Sequence, residues 1–169
     1  SSSVVKIDPT SALTSAQETD VYTVTVVAGA LKDGSGNSFA GISGTSYQFT
    51  VVDTEAPDVT QQVPSNDQSG VAVNTDIVLV FNEPVSAADA KSIILLPASG
   101  GAGQTIAATS GEVTVSGTTV TVNPSSDLVA GQSGQVYTVN VDSGAFVDAS
   151  SNDFAGITGA SYKFTVANV

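Results

Sequence analysis

Apolar and polar residues alternate in short runs along most of the chain, and Gly, Pro, Asn, Asp and Ser separate these runs. This period-two pattern is typical of strands that bury one face. Its clearest instance is residues 112–122 (EVTVSGTTVTV), where two alternating runs flank a Ser-Gly turn and predict a β-hairpin. No stretch sustains the 3.6-residue apolar period of a helix, and only residues 86–92 (SAADAKS) are compatible with one helical turn. The pattern predicts an all-β fold built as an antiparallel β-sandwich.

The same alternation gives the expected strands and their buried faces. In residues 53–169 the predicted strands are 58–62, 76–81, 92–96, 104–107, 112–116, 118–122, 136–141 and 161–167. In residues 1–52 they are 4–7, 21–26 and 46–52. The longer segment is therefore predicted to form a seven- or eight-stranded sandwich. Its expected inward-facing residues are Ile77, Leu79, Phe81, Val120, Val122, Tyr137, Val139, Phe164 and Val166.

The chain contains an internal repeat. Residues 21–51 recur at residues 136–166 without a gap, with 20 of the 31 positions identical. Similarity at a fixed offset, here 115 residues, indicates tandem modules. At this offset Ser1 corresponds to Ser116, inside the second copy. We therefore expect residues 1–52 to be the C-terminal half of one module and residues 53–169 to be a complete one, joined by a short linker that contains Pro57.

The partial module leaves apolar residues that need a cover. Three strands of a sandwich expose one apolar face, which invites association in water. The sequence predicts that a longer polypeptide completes the first sandwich, or that other copies of the chain complete it by adding strands, as a homo-oligomer or a filament. The residues expected to need a cover are Val5, Ile7, Val24, Val26, Phe39, Phe49 and Val51.

Composition excludes several classes of function. The net charge is −12, with four Lys and no Arg, so the chain lacks the basic surface that nucleic acids or anionic membranes require. No window approaches the roughly 20 apolar residues of a membrane span, and we expect no membrane insertion. His and Cys are absent, which removes Ser-His and Cys-His nucleophiles. The acidic residues lie in turns and linkers rather than at one site, so we expect no enzymatic activity.

The four tyrosines fall into two equivalent pairs, Tyr22 with Tyr137 and Tyr47 with Tyr162. A carbohydrate-binding platform would need exposed aromatic residues clustered on one face, whereas these residues are spread through predicted strands. We interpret them as core residues whose hydroxyls are hydrogen-bonded near a corner of the sandwich.

Several motifs, in order and spacing, resemble one known family. They are residues 53–57 (DTEAP), 70–75 (GVAVNT), 77–85 (IVLVFNEPV), 128–131 (LVAG) and 147–156 (VDASSNDFAG). Residues 53–169 resemble the bacterial Ig-like module of S-layer type from end to end, and residues 1–52 resemble its second half. The resemblance implies an Ig-like sandwich at the cell surface or outside the cell, without catalytic residues. It implies a structural segment of a surface layer, filament or adhesin; the alternative is a glycan- or ligand-binding accessory module of a secreted protein.

Two equivalent loops are candidate calcium sites. Asp33 to Asn37 and Asp148 to Asn152 carry oxygen-bearing side chains at alternating positions, as the start of a calcium loop does. Neither loop has the bidentate Glu that completes such a site. The pattern therefore favours a polar turn, in which Asp and Asn side chains bond local amides.

The linker acids Asp53, Glu55 and Asp58 form a second candidate calcium site, with the aspartates of the two loops as possible helpers. The alternative is a solvated polar linker, because surface carboxylates usually need no partner. A third acid, Glu83, follows a predicted strand and precedes Pro84. We interpret it as a turn or rim residue rather than a ligand.

Overall fold

The computed structural model describes residues 4–11, 13, 20–100, 102–128 and 134–167. These residues contain strands, turns and irregular segments and no helix, so the predicted all-β class is confirmed. The described part of the chain accordingly lacks a helix with the length and apolar character needed to cross a membrane. The chain divides into two compact units, Ser1–Glu55 and Ala56–Val169.

The first unit is built on one antiparallel strand pair. Strand β1 (Asp20–Thr23) pairs with β2 (Gln48–Val51), and Tyr22 lies opposite Phe49. The rings of these two residues stack with their centroids 5.8 Å apart. The chain between the strands folds back on itself through isolated bridges, one of which joins Val26 to Ile42.

The strand predicted at residues 4–7 is wrong, because these residues form no strand in the structure. Val5 and Ile7 are 62% and 65% exposed. Their counterparts in the repeat, Val120 and Val122, lie in a strand with a neighbour on each side. Alternation alone does not make a strand, which also needs paired neighbours of the kind that flank Val120 and Val122.

The described residues of the second unit form eleven further strands. In chain order they are β3 (Val59–Val63), β4 (Gln68–Val71), β5 (Ile77–Phe81), β6 (Ser86–Ala87), β7 (Ser92–Pro97), β8 (Gln104–Ala107), β9 (Val113–Ser116), β10 (Thr119–Val122), β11 (Val136–Val141), β12 (Phe146–Val147) and β13 (Lys163–Val166).

These strands form a sandwich of two main sheets. One sheet has the order β3-β5-β10-β9 and the other the order β4-β13-β11-β7-β8, while β12 and β6 form a separate pair. The apolar faces of the two sheets share one core. All nine residues predicted to face inward are at most 3% exposed, so the predicted faces are confirmed.

The sandwich differs from the prediction in two places. Its two sheets hold nine strands rather than seven or eight, because β4 was not predicted, and β4 pairs with β13 in parallel. Strand β4 has the sequence QSGV, which lacks apolar alternation. The helical turn expected in residues 86–92 is absent, since Ser86 and Ala87 pair with β12 instead.

Both tyrosines of the second unit are buried as predicted, whereas Tyr22 and Tyr47 of the first unit are not buried. Tyr162 is fully buried, and its hydroxyl donates a hydrogen bond to the Pro64 carbonyl at 2.8 Å. Tyr137 is 3% exposed. In the first unit Tyr47, the counterpart of Tyr162, is 51% exposed, so its predicted core position is wrong.

Candidate metal centre

Three buried carboxylates converge on one point. Asp53, Glu83 and Asp148 each place an oxygen within 4.8 Å of the oxygens of the other two. All three residues are at most 5% exposed. Two of them belong to the seven candidate ligands that the sequence suggested, and the third is the residue that was interpreted as a turn or rim residue.

Glu83 reaches this point because the chain continues the alternation of β5. Ile77, Leu79, Phe81, Glu83 and Val85 are all buried, at every second position. The side chain of Glu83 therefore faces inward, as those of its apolar neighbours in the series do. Both of its carboxylate oxygens are excluded from solvent. The rim interpretation of Glu83 is wrong, and the period-two pattern that predicted the core around it was the signal that could have placed it.

Asp148 lies directly after β12, at the start of a closed polar loop. Its Oδ1 accepts a hydrogen bond from the Asn152 backbone N–H at 2.7 Å, and its Oδ2 accepts one from Asn152 Nδ2 at 2.7 Å. Asn152 O in turn accepts from the Asp148 backbone N–H at 3.2 Å. These contacts fix the carboxylate, while each oxygen keeps further lone pairs for another ligand.

Asp53 begins the segment that leads into β3. Its Oδ1 accepts a hydrogen bond from the backbone N–H of Glu55 at 2.9 Å, a local Asx turn. Further along, the Asn82 side chain accepts from the Asp58 backbone N–H at 2.7 Å, and the Asp58 carbonyl accepts from the Asn82 N–H at 2.9 Å. This pair of bonds ties residue 58 to the residue before Glu83.

The other suggested ligands lie outside the cluster. Glu55 and Asp58 are exposed, as are Asp33 and Asn37 of the first loop. Asn152 donates hydrogen bonds to Asp148 and contacts the cluster through that residue. The linker group and the loop group suggested by the sequence thus contribute one residue each, rather than two separate sites.

The first loop shows the same local turn without the burial. Asp33 accepts hydrogen bonds from the Asn37 backbone N–H at 2.8 Å and from Asn37 Nδ2 at 2.8 Å. Its Oδ1 also accepts from the Ser35 N–H at 2.9 Å. These bonds, the Asn37 side-chain bond foremost, lower the pKa of Asp33 below its ordinary value. The turn is therefore a property of the repeated sequence, whereas the buried carboxylate cluster is not.

The chain has few positive side chains to neutralise such a cluster. Arg and His are absent, and there are four lysines. Three of them make contacts elsewhere: Lys6 lies 3.7 Å from Asp8, Lys163 lies 3.3 Å from Asp67, and Lys91 donates to the Ser143 carbonyl at 2.6 Å. Close, buried carboxylates repel one another, so a bound cation would stabilise them.

The spacing of the oxygens suits a hard cation. Calcium binds oxygen at about 2.3–2.6 Å, so oxygens on opposite sides of one ion are up to about 5 Å apart. Three carboxylates supply three to six of the six to eight oxygens that calcium takes, and backbone carbonyls and water can supply the rest. Residues that fit a calcium ion are thus Asp53, Glu83 and Asp148.

Sequence comparison gives one clear match. The profile of the bacterial Ig-like domain family matches residues 53–166, which is more than half of the chain and includes all three carboxylates. No curated protein matches the chain. The match supports the bacterial Ig-like part of the expected resemblance and does not separate the S-layer type from other members.

Proposed function

Because the chain belongs to the family of bacterial Ig-like domains, we propose that it is a structural segment of a cell-surface or extracellular protein, such as a surface layer, a filament or an adhesin. The family is structural rather than enzymatic, and its members occur in bacterial surface proteins and adhesins. The observation that carries the proposal is the repeat. The chain contains two copies of one hairpin sequence, 115 residues apart. Such copies are expected in a protein that is built from tandem modules.

The acidic composition supports this role. A net charge of −12 keeps an extended, modular protein soluble and limits unspecific association. Within the second unit the tyrosines are buried, so this unit does not present the exposed aromatic surface that a glycan-binding module would use. For the second unit, this burial favours the structural role over the accessory one.

Surface exposure is testable on cells of the organism that encodes the chain. Antibodies raised against the purified chain should label intact cells or the material that they shed. A cytosolic protein, probed in parallel, should become accessible only after permeabilisation. Labelling of the chain restricted to permeabilised cells would contradict the proposal.

We further propose that Asp53, Glu83 and Asp148 bind calcium and thereby stabilise the complete module. The supporting observation is the convergence of three buried carboxylates whose oxygens lie within 4.8 Å of one another. An ion held there would tie the start of the module to the end of β5 and to the loop after β12. A ligand that binds only the folded state raises stability by mass action, by about 2.7 kcal/mol at 100 times its Kd.

Calorimetry of the full chain tests this proposal. We expect a higher melting temperature in calcium than in chelator, and a smaller effect of magnesium, which demands a smaller, octahedral site. Asp148→Asn should abolish the calcium response. The matched control is Asp33→Asn, which makes the same change in the equivalent, exposed loop and should leave the response intact.

The Glu83→Gln substitution should affect stability differently in chelator and in calcium. In chelator this variant should be as stable as the wild type or more stable, because one charge of a repelling cluster is removed. In calcium it should be less stable, because a ligand is lost. Equal melting temperatures of the wild type in calcium and in chelator would overturn the proposal.

A further inference from the structure

The first unit contains an apolar groove, which we call the first-unit groove. It encloses about 400 Å³. Its apolar lining includes Val5, Ile7, Leu13, Tyr22, Tyr47 and Phe49. Val5, Ile7, Leu13, Tyr47 and Phe49 are between 37% and 65% exposed, which is unusual for large apolar side chains lying on one surface.

The repeat shows what this surface is in a complete module. Each of these six residues has a counterpart 115 positions later, and every counterpart is a core residue that is at most 3% exposed. The counterparts are Val120, Val122, Leu128, Tyr137, Tyr162 and Phe164. The stacked pair of Tyr22 and Phe49 is reproduced by Tyr137 and Phe164, whose ring centroids are 6.2 Å apart. The groove is therefore the inner face of a sandwich.

The strands that pair with the strands of these counterparts are known. Strand β7 pairs antiparallel with β11, and Leu95 lies opposite Val139. Strand β5 pairs antiparallel with β10, and Leu79 lies opposite Val120. Strand β4 lies parallel to β13. All three of these neighbouring strands fall between residues 68 and 97, outside the repeated sequence.

We propose that the first-unit groove is the docking surface for the first half of another module of this type, a segment with the strand pattern of residues 59–107. Its equivalent of β7 adds antiparallel to β1, along the edge opposite β2. Its equivalent of β5 pairs with residues 4–7, which then become the strand that their sequence predicts. The proposal rests on the proposed role of the chain as part of a modular protein.

Charge and strand chemistry agree with this occupant. The segments that would dock have the sequences SIILLP and IVLVF, which carry no charge. Strands β1 and β2 have the sequences DVYT and QFTV, which together contain one charged residue, Asp20. The contact therefore forms without the repulsion that a net charge of −12 imposes elsewhere, and main-chain hydrogen bonds add to apolar burial.

The experiment adds the occupant in register. At the offset of the repeat, Val115 precedes the counterpart of Ser1, so a second copy of residues 53–115 can be fused directly before Ser1. Hydrogen exchange of the β1 and β2 amides is then compared with that in the original chain. We expect exchange at least about 100-fold slower in the fusion, together with loss of binding of an apolar dye, because the groove is filled.

A matched control keeps the length and composition nearly unchanged. In it, Ile93→Asp and Leu95→Asp are made in the added copy alone, where they should prevent docking. Equal exchange of β1 and β2 in the fusion and in this control would overturn the proposal. A second result would also overturn the proposal: slow exchange of β1 and β2 in the original chain, seen only at concentrations where the chain self-associates. In that case a second molecule would cover the first-unit groove with its own surface. Neither result bears on labelling of intact cells, so the proposed function is tested separately.

Discussion

At the scale of single residues, Tyr162 and Tyr47 occupy the same position in the two copies of the repeat but different surroundings. Tyr162 is fully buried, whereas Tyr47 is half-exposed. Burial raises the pKa of Tyr162, so its hydroxyl stays protonated and continues to donate to Pro64 in alkaline solution. A buried hydrogen bond of this kind contributes more than an exposed one, because its loss leaves the carbonyl desolvated.

Tyr162→Phe should lower the free energy of unfolding of the second unit by about 1–2 kcal/mol, since the ring stays in place and one buried hydrogen bond is lost. Tyr47→Phe is the matched control and should change stability by less than about 0.5 kcal/mol. Denaturant unfolding of both variants measures the difference. Equal effects of the two substitutions would show that the bond to Pro64 contributes nothing.

At the scale of elements, the hairpin loop after β11 is built in the same way as the loop after β1. Val141 bridges to Ile157 as Val26 bridges to Ile42. Gly156 and its counterpart Gly41 have φ values of 89° and 91°. A Cβ at Gly156 would lie 2.6 Å from the Val141 carbonyl oxygen. The loop therefore requires glycine for two reasons, its left-handed backbone and its close approach to a strand.

Gly156→Ala should destabilise the second unit by about 2–4 kcal/mol, because the cost of a positive φ adds to an overlap with backbone atoms that cannot move aside. Gly159 is the control: its φ is 65°, but no atom lies within 4 Å of its Cβ position. Gly159→Ala should cost about 1 kcal/mol, which is the φ term alone. Thermal unfolding of the two variants separates the terms, and similar losses would remove the role assigned to the close approach.

The strands and the site residues were predicted from the sequence to different extents. The alternation of apolar and polar residues predicted the buried positions of Ile77 and Leu79 correctly, because a strand that buries one face has an apolar residue at every second position. It missed β4, whose residues are held by pairing with β13 rather than by a buried face of their own. It also missed Glu83, because a charged residue at an inward-facing position interrupts the apolar series from which buried positions are predicted. The convergence with Asp53 and Asp148 depends on contacts between distant segments, which no local pattern records.

At the scale of the whole molecule, the two units show one sequence in two settings. The repeated residues form β1, β2 and their connecting loop in the first unit with the register found in the second. Tyr22 lies opposite Phe49, as Tyr137 lies opposite Phe164. Their burial differs, because the covering strands belong to the part of the module that is not repeated. Local sequence therefore determines the hairpin, and its neighbours determine whether it becomes core.

The parallel pairing of β4 with β13 has a consequence for force. These strands lie near the two ends of the second unit in sequence and run side by side in the same direction. Tension that draws the two ends apart slides one strand along the other, so the bonds between them are strained together rather than one after another. The bonds from the Asp67 N–H to the Lys163 carbonyl and from the Ala167 N–H to the Val71 carbonyl, both 2.7 Å long, flank this pair. The unit thus resists stretching along its length by shear, whereas a pull across the sheet would peel the same strands apart bond by bond.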